Sequence, residues 1–271
     1  MSEINVLLVG NTDRREFRQA RASLDASGRV LSAADAASGA AMLEAGQHAP
    51  DVIVVAQAYP GEFSAAEIDR LRRLAPLARV LALLGTWCEG EMRTGRPWPA
   101  VIRVYWHQWL PRWHQELGRL VHGLCPTWGL PVTATEEERL LASATDPLPK
   151  RQGRIAIHSP RFEMVDWLSA ACRRRGYTTV WLQPHRPART ANAIAAIFDG
   201  TDGDGVELGQ LARLAVWLPG VPILALVDFP RIEDQQRLLG GGAAAVLAKP
   251  LLVEDLFWQI DQLVGQPPTE G

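Results

Sequence analysis

The segment Thr86 to Pro99, TWCEGEMRTGRPWP, gathers two Trp, a Cys, two Glu and two Arg around two Gly and two Pro. Such a mixture could form a catalytic loop, a metal or nucleotide site, or a surface shaped for another protein. Cys88 has no second thiol near it in sequence. Glu89, Glu91, Arg93 and Arg96 can satisfy one another as ion pairs around a turn. The segment therefore holds no motif for metal or phosphate chemistry. It does hold Trp and Arg, the residue types most enriched in binding hot spots. Six of the ten Trp lie between 87 and 128: Trp87, Trp98, Trp106, Trp109, Trp113 and Trp128. Packing is the ordinary use of any one Trp. With Glu89, Arg93, Arg96 and His107, however, Trp87, Trp98, Trp106, Trp109 and Trp113 mark a candidate interaction surface. A small-molecule pocket over residues 86–114 and a purely structural aromatic core are the alternatives.

Other reactive groupings fail on their own chemistry. Asp199-Gly-Thr-Asp202-Gly-Asp204-Gly205 has the flavour of a calcium loop, but Gly200 and Leu211 stand where further carboxylates are needed. It reads as an acidic turn. His107 and His114 are seven apart and lack a third ligand at convincing spacing. Gly240-Gly241-Gly242 lies between a helix and a strand, where it is a stop signal and not a phosphate cradle. Arg173-Arg174-Arg175 ends a helix and complements its dipole. No Ser elbow, no His-Glu-x-x-His motif and no Cys with an obvious His base is present, so no enzyme, metal or cofactor is expected.

The chain has 271 residues, 47% hydrophobic and 21% charged, with a formal charge of −2. That composition suits a globular protein of two domains. It gives no general pull toward nucleic acid or an anionic membrane, and neither is expected as a partner. Lys150 and Lys249 are the only lysines beside 26 arginines, a bias of GC-rich bacterial coding that makes each lysine conspicuous. Cys88, Cys125 and Cys172 are scattered and form no CxxC pair, which suits a reducing cytoplasm. The start, MSEINVLLVG, has no basic region before its short apolar run, and no later apolar run reaches membrane length. A cytoplasmic location is expected.

Strands of five or six residues alternate with helices through both halves. In the first, INVLLV (4–9), Val30-Leu31, DVIVVA (51–56), RVLALL (79–84) and AVIRVY (100–105) read as strands. Helices are predicted at 14–24, 37–46, 65–74 and 112–124. In the second, the strands are RIAIHS (154–159), TTVWLQ (178–183), AIAAIFD (193–199), VPILALV (221–227) and AAAVLA (243–248). Its helices fall at 162–176, 206–218, 232–242 and 252–265. Short buried strands alternating with helices predict a parallel sheet covered on both faces, twice over: two flavodoxin-like (βα)5 doubly wound domains in tandem, at 1–124 and 154–265. Residues 125–153, with Pro126, Pro131, Pro147 and Pro149 around the acidic-then-apolar EEERLLASA (136–144), read as a linker with one helix in it, and 266–271 as a tail.

The stretch GGGAAAVLAKPLLVEDL (240–256) resembles the end of a response-regulator receiver domain, where the fifth strand closes in Lys-Pro before the last helix. Lys249 and Pro250 match that position, and Pro222 to Leu226 match the fourth strand. The resemblance covers 154–265 well and 4–124 more weakly. It implies a chemotaxis-regulator-like fold in which the Lys is aimed at an acyl phosphate. The same chemistry requires an acidic pair after strand one to hold Mg²⁺, an Asp ending strand three as phosphoryl acceptor, and a Ser or Thr after strand four. In the second half Asp199 matches the acceptor and Lys249 the cation, but His158-Ser159-Pro160 stands in place of the acidic pair and Val227-Asp228 in place of the Ser or Thr. In the first half Gly10-Asn11, Ala56 or Gln57, Leu84-Gly85 and Tyr105-Trp106 replace all four.

The resemblance thus implies a tandem of degenerate pseudo-receivers with Asp199, paired to Lys249, as the one phosphoacceptor candidate. The expected role is non-catalytic, phosphorylation-independent signalling through contact with a protein: a kinase, another regulator, or a second copy as a homodimer. An atypical receiver phosphorylated at Asp199, or a sensor of small molecules at 86–114, are the competing readings.

Overall fold

The computed structural model describes residues 4–46, 49–131, 133–144, 149–183 and 192–265. The chain divides into two compact units, Met1–Thr145 and Asp146–Gly271. Pro147 and the tail at 266–271 lie outside the described residues. Among those described, no helix is long and apolar enough to cross a membrane.

The first unit runs β1 (Ile4–Val9), α1 (Arg18–Asp25), β2 (Gly28–Ala33), α2 (Ala36–Glu44), β3 (Val52–Gln57), α3 (Ala65–Leu74), β4 (Arg79–Leu84), α4 (Glu91–Thr94), β5 (Ile102–Tyr105), α5 (Trp109–Val121) and α6 (Glu136–Ala144). Its sheet is parallel throughout, in the order β2-β1-β3-β4-β5. All six residues of β3 are buried, which explains its unbroken β-branched run at the centre of a sheet covered on both sides. Asp35 with Ser38, and Ser64 with Glu67, form reciprocal caps that set the starts of α2 and α3. On one face Leu7, Val9, Ile53, Val55, Ala82 and Leu84 pack with Ile68 and Leu71 of α3. On the other, the indole N–H of Trp109 donates to Ser23 Oγ and that of Trp113 to Ser27 Oγ, each at 3.0 Å, tying α5 to α1 and its end.

The second unit runs β6 (Arg154–His158), α7 (Phe162–Arg175), β7 (Thr178–Leu182), β8 (Ala193–Asp199), α8 (Gly205–Trp217), β9 (Ile223–Asp228), α9 (Ile232–Gly240), β10 (Ala245–Lys249) and α10 (Val253–Val264). The order β10-β9-β8-β6-β7 repeats the first sheet, again all parallel. Gly176 ends α7 at φ +101°, and a Cβ there would sit 2.4 Å from the Arg151 carbonyl oxygen, so only glycine fits.

Two details differ from the sequence reading. Helix α5 begins at Trp109 and not at 112, because Pro111 falls in its first turn, where a missing N–H costs nothing. The segment expected as linker has its one helix, α6, but up to Thr145 it belongs to the first unit: Thr127 donates its N–H to Glu116, and Trp128 is buried against Trp113.

Candidate functional site

Parallel strands bring all their carboxyl ends to one edge of each sheet, and ligands of such folds sit there, where the strand order reverses. In the second unit that edge carries Ser159 just after β6, Asp199 at the end of β8, Asp228 at the end of β9 and Lys249 at the end of β10. The Asp199 side chain is fully buried. Its Oδ1 accepts from Arg161 at 2.6 Å and from Lys249 Nζ at 2.9 Å. Its Oδ2 accepts from Ser159 Oγ at 2.6 Å and from Arg161 Nε at 3.2 Å. A carboxylate has about four acceptor positions, and all four are taken. Burial alone would raise the Asp199 pKa; the hydrogen bonds from Arg161, Ser159 and Lys249 outweigh it and hold the group below the ordinary carboxylate value. Lys249 is equally committed, its three protons serving Asp199, the Gly200 carbonyl at 2.6 Å and Asp228 at 3.1 Å.

These residues do not fit the divalent cation that receiver chemistry uses. Oxygen ligands are required. The positions after β6 supply a hydroxyl, a proline ring and a guanidinium, and the Asp199 carboxylate is already saturated by Arg161, Lys249 and Ser159. The acidic trio Asp202, Asp204 and Glu207 brings its carboxylate oxygens within 4.8 Å of one another. They are occupied by the backbone: Glu207 accepts from the Thr201 and Gly203 N–H groups and Asp204 from the Glu207 N–H, as a helix cap.

Among the described residues of the first unit, the corresponding edge holds no such cluster. Gly10 follows β1 at φ +105°, and a Cβ would meet the Ala56 carbonyl oxygen at 2.7 Å. Gln57 ends β3 where Asp199 ends β8. Its Nε2 donates to Glu91 Oε1 at 3.3 Å, and Glu91 Oε2 accepts from Arg103 at 2.6 Å. Tyr105 ends β5 where Lys249 ends β10.

The Thr86–Pro99 segment is thus drawn down onto the sheet edge. Thr86 bonds Glu16, Glu89 meets His107 Nε2 at 2.6 Å, and the Trp98 N–H donates to the Phe63 carbonyl at 3.1 Å. Cys88 is buried and its thiol pushed up to about 12, chiefly by that burial and then by Glu91. The ion pairs differ from the sequence expectation: Glu89 and Glu91 reach out to His107 and Arg103, not to Arg93 and Arg96.

The candidate interaction residues also separate. Trp98, Trp106, Trp109 and Trp113 are buried, and the last two stack at 5.3 Å between ring centres. These four belong to the core, which corrects their reading as surface; their spacing put apolar faces toward α1 and the sheet. Glu89 and His107 are spent on each other. Trp87 is 69% exposed, and Arg93 and Arg96 are exposed beside an exposed Met92. Arg161 and Glu91 are the positions that sequence reading missed. A cation directly after the missing acidic pair, and an acid facing a Gln at the strand end, were the available signals.

The all-parallel order 2-1-3-4-5, found twice, is the flavodoxin-like doubly wound arrangement shared by flavodoxin and CheY. Both units are receiver-like in fold. Solved structures of similar architecture include a Francisella response regulator receiver domain, at 14% identity and a TM-score of 0.36 over 41% of this chain and 96% of its own. A CheY-like receiver domain protein from Methanospirillum hungatei JF-1 matches at 19% identity and 0.36, over 42% and 94%. The chemotaxis protein CheY4 of Vibrio cholerae matches at 16% identity and 0.36, over 42% and 99%. No protein-family model matches the sequence, and no curated protein matches it. Within this receiver-like frame, the acceptor and cation positions of the second unit are brought together, while those of the first are filled by an amide and a phenol.

Proposed function

We propose that this chain is a non-catalytic regulatory protein of signalling, acting through protein contacts of two degenerate receiver-like units without phosphorylation as the switch. The observation that carries this reading is the saturation of Asp199 by Arg161, Ser159 and Lys249. An acyl phosphate forms when a free carboxylate oxygen attacks phosphorus, and here neither oxygen is free and no carboxylate pair supports a metal. Gln57 cannot serve as acceptor at all, because an amide oxygen forms no stable phosphoryl adduct.

With the phosphoryl switch gone, output depends on a surface. The segment anchored by Glu91 and Trp98 turns Trp87, Met92, Arg93 and Arg96 outward, a combination of exposed aromatic and cationic groups suited to a protein partner. The partner is a kinase, another regulator or a second copy of the chain, in the cytoplasm of a bacterium. Intact mass after incubation with acetyl phosphate and Mg²⁺ tests the first part: an unchanged mass is expected, and an added phosphoryl group lost in Asp199→Asn refutes it. Crosslinking and sedimentation of wild type against Trp87→Ala test the second. A specific complex weakened at least tenfold by the substitution is expected; a monomer with no specific partner refutes it.

A further inference from the structure

The site of the second unit raises a question of charge. Asp199 is wholly buried and Asp228 stands at the end of the neighbouring strand, its side chain 40% exposed. A buried carboxylate without compensation is strongly destabilising. Lys249 bridges both acids, leaving one negative charge uncompensated among these three groups. Arg161 supplies the balance. Its guanidinium lies side-on to Asp199 with bonds of 2.6 and 3.2 Å, the two-pronged geometry that makes Arg–carboxylate pairs strong. Its backbone N–H bonds Ser159 Oγ at 3.0 Å, and Ser159 in turn donates to Asp199, so the loop after β6 is bent to deliver the cation. Arg161 is fixed at its inner end while its side chain is 46% exposed, bridging the buried carboxylate and solvent.

We infer that Arg161 is the resident cation of this site, standing in for a divalent metal at Asp199 and excluding one from it. The guanidinium takes both oxygens that a metal would need and carries one fixed positive charge, permanently attached. The second unit is thereby held in a single charge state, whatever the metal concentration. This rests on the phosphorylation-independent reading but fails separately from it: acetyl phosphate tests the acceptor, whereas metal binding alone tests Arg161.

The experiment uses the full chain and Mg²⁺ at constant ionic strength, read by thermal melting and by the fluorescence of Trp181, whose indole N–H donates to the Ser159 carbonyl at 3.0 Å. Wild type and Arg161→Lys are expected to show no saturable response. Arg161→Ala and Arg161→Asp are expected to melt lower without metal. Each should gain a saturable Mg²⁺ response, a rise of about 5 °C at tenfold over the apparent Kd. Adding Asp199→Asn should abolish it. A saturable wild-type response that Asp199→Asn removes overturns the proposal. So do folded Arg161→Ala and Arg161→Asp chains that ignore Mg²⁺, whatever their stability. Should both fail to fold, Arg161→Gln, which keeps an amide donor but no charge, decides between the same two outcomes.

Discussion

Truncating Trp113 to Ala separates a structural aromatic core from a recognition face. Trp113 is 2% exposed and lies between Trp109 and Trp128, with ring centres 5.3 Å from each. Its N–H donates to Ser27. Large-to-small changes of a buried Trp cost about 3–5 kcal/mol, in which the lost stacking is included. With a urea dependence of about 2 kcal/mol per molar, the midpoint of the first unit should fall by about 2 M. Trp113→Phe keeps most of the apolar area and loses the hydrogen bond, so about 1 kcal/mol is expected. Urea titration followed by tryptophan emission measures both, and Trp128 should shift to the red in the Ala variant as its cover is removed. A Trp113→Ala midpoint within about 0.3 M of wild type, below about 1 kcal/mol, with unaltered emission would refute the assignment of this cluster to the core.

Other consequences are open to direct measurement. Burial lowers the His158 pKa, so the unfolded chain takes up a proton first as pH falls. Stability of the second unit should be full above about pH 6.5 and decline as pH drops below it toward the lowered native value, a slope that His158→Phe should remove in pH-dependent melts. Asp199, with its pKa also lowered, contributes stability that is lost in a separate window below about pH 4, and Asp199→Asn should flatten that limb. Replacing Glu91 by Ala removes the ion-pair partner of Arg103, whose side chain is 15% exposed, and should cost about 3 kcal/mol while speeding tryptic cleavage after Arg93. A thiol reagent should modify one cysteine in the native chain, the exposed Cys125, and all three after denaturation, since Cys88 and Cys172 are buried.

The strands were legible because a central parallel strand must be apolar on both faces, as DVIVVA and AIAAIFD are. Helix ends were legible where chemistry marks them, as at Gly176. What the sequence hid is direction. Trp109 and Trp113 are four apart, as Ser23 and Ser27 are, and only the folded pairing shows that the two pairs bond one another across α5 and the end of α1. Residue type alone put those Trp among interface candidates. The Asp199–Lys249 pairing could be read from strand ends, whereas Arg161 could not, because its role depends on a loop turning a side chain back over the sheet edge. Glu91 was hidden likewise: acids and arginines close in sequence invite local pairing, yet its partner, Arg103, lies on a strand.

The Asp199 cluster also has an order in time. Ser159 and Arg161 precede Asp199 by 40 and 38 residues, while Lys249 follows it by 50. A chain made from its amino end therefore carries Arg161 before the carboxylate it covers, and Lys249 leaves the ribosome some seconds later, at about 5–20 residues per second. During that interval β6 and β8 can pair with their acid already compensated. The last strand then docks onto β9, where Lys249 meets Asp228, an acid exposed enough for water to screen it until then, and the nascent unit never has to hold a bare buried charge while it waits.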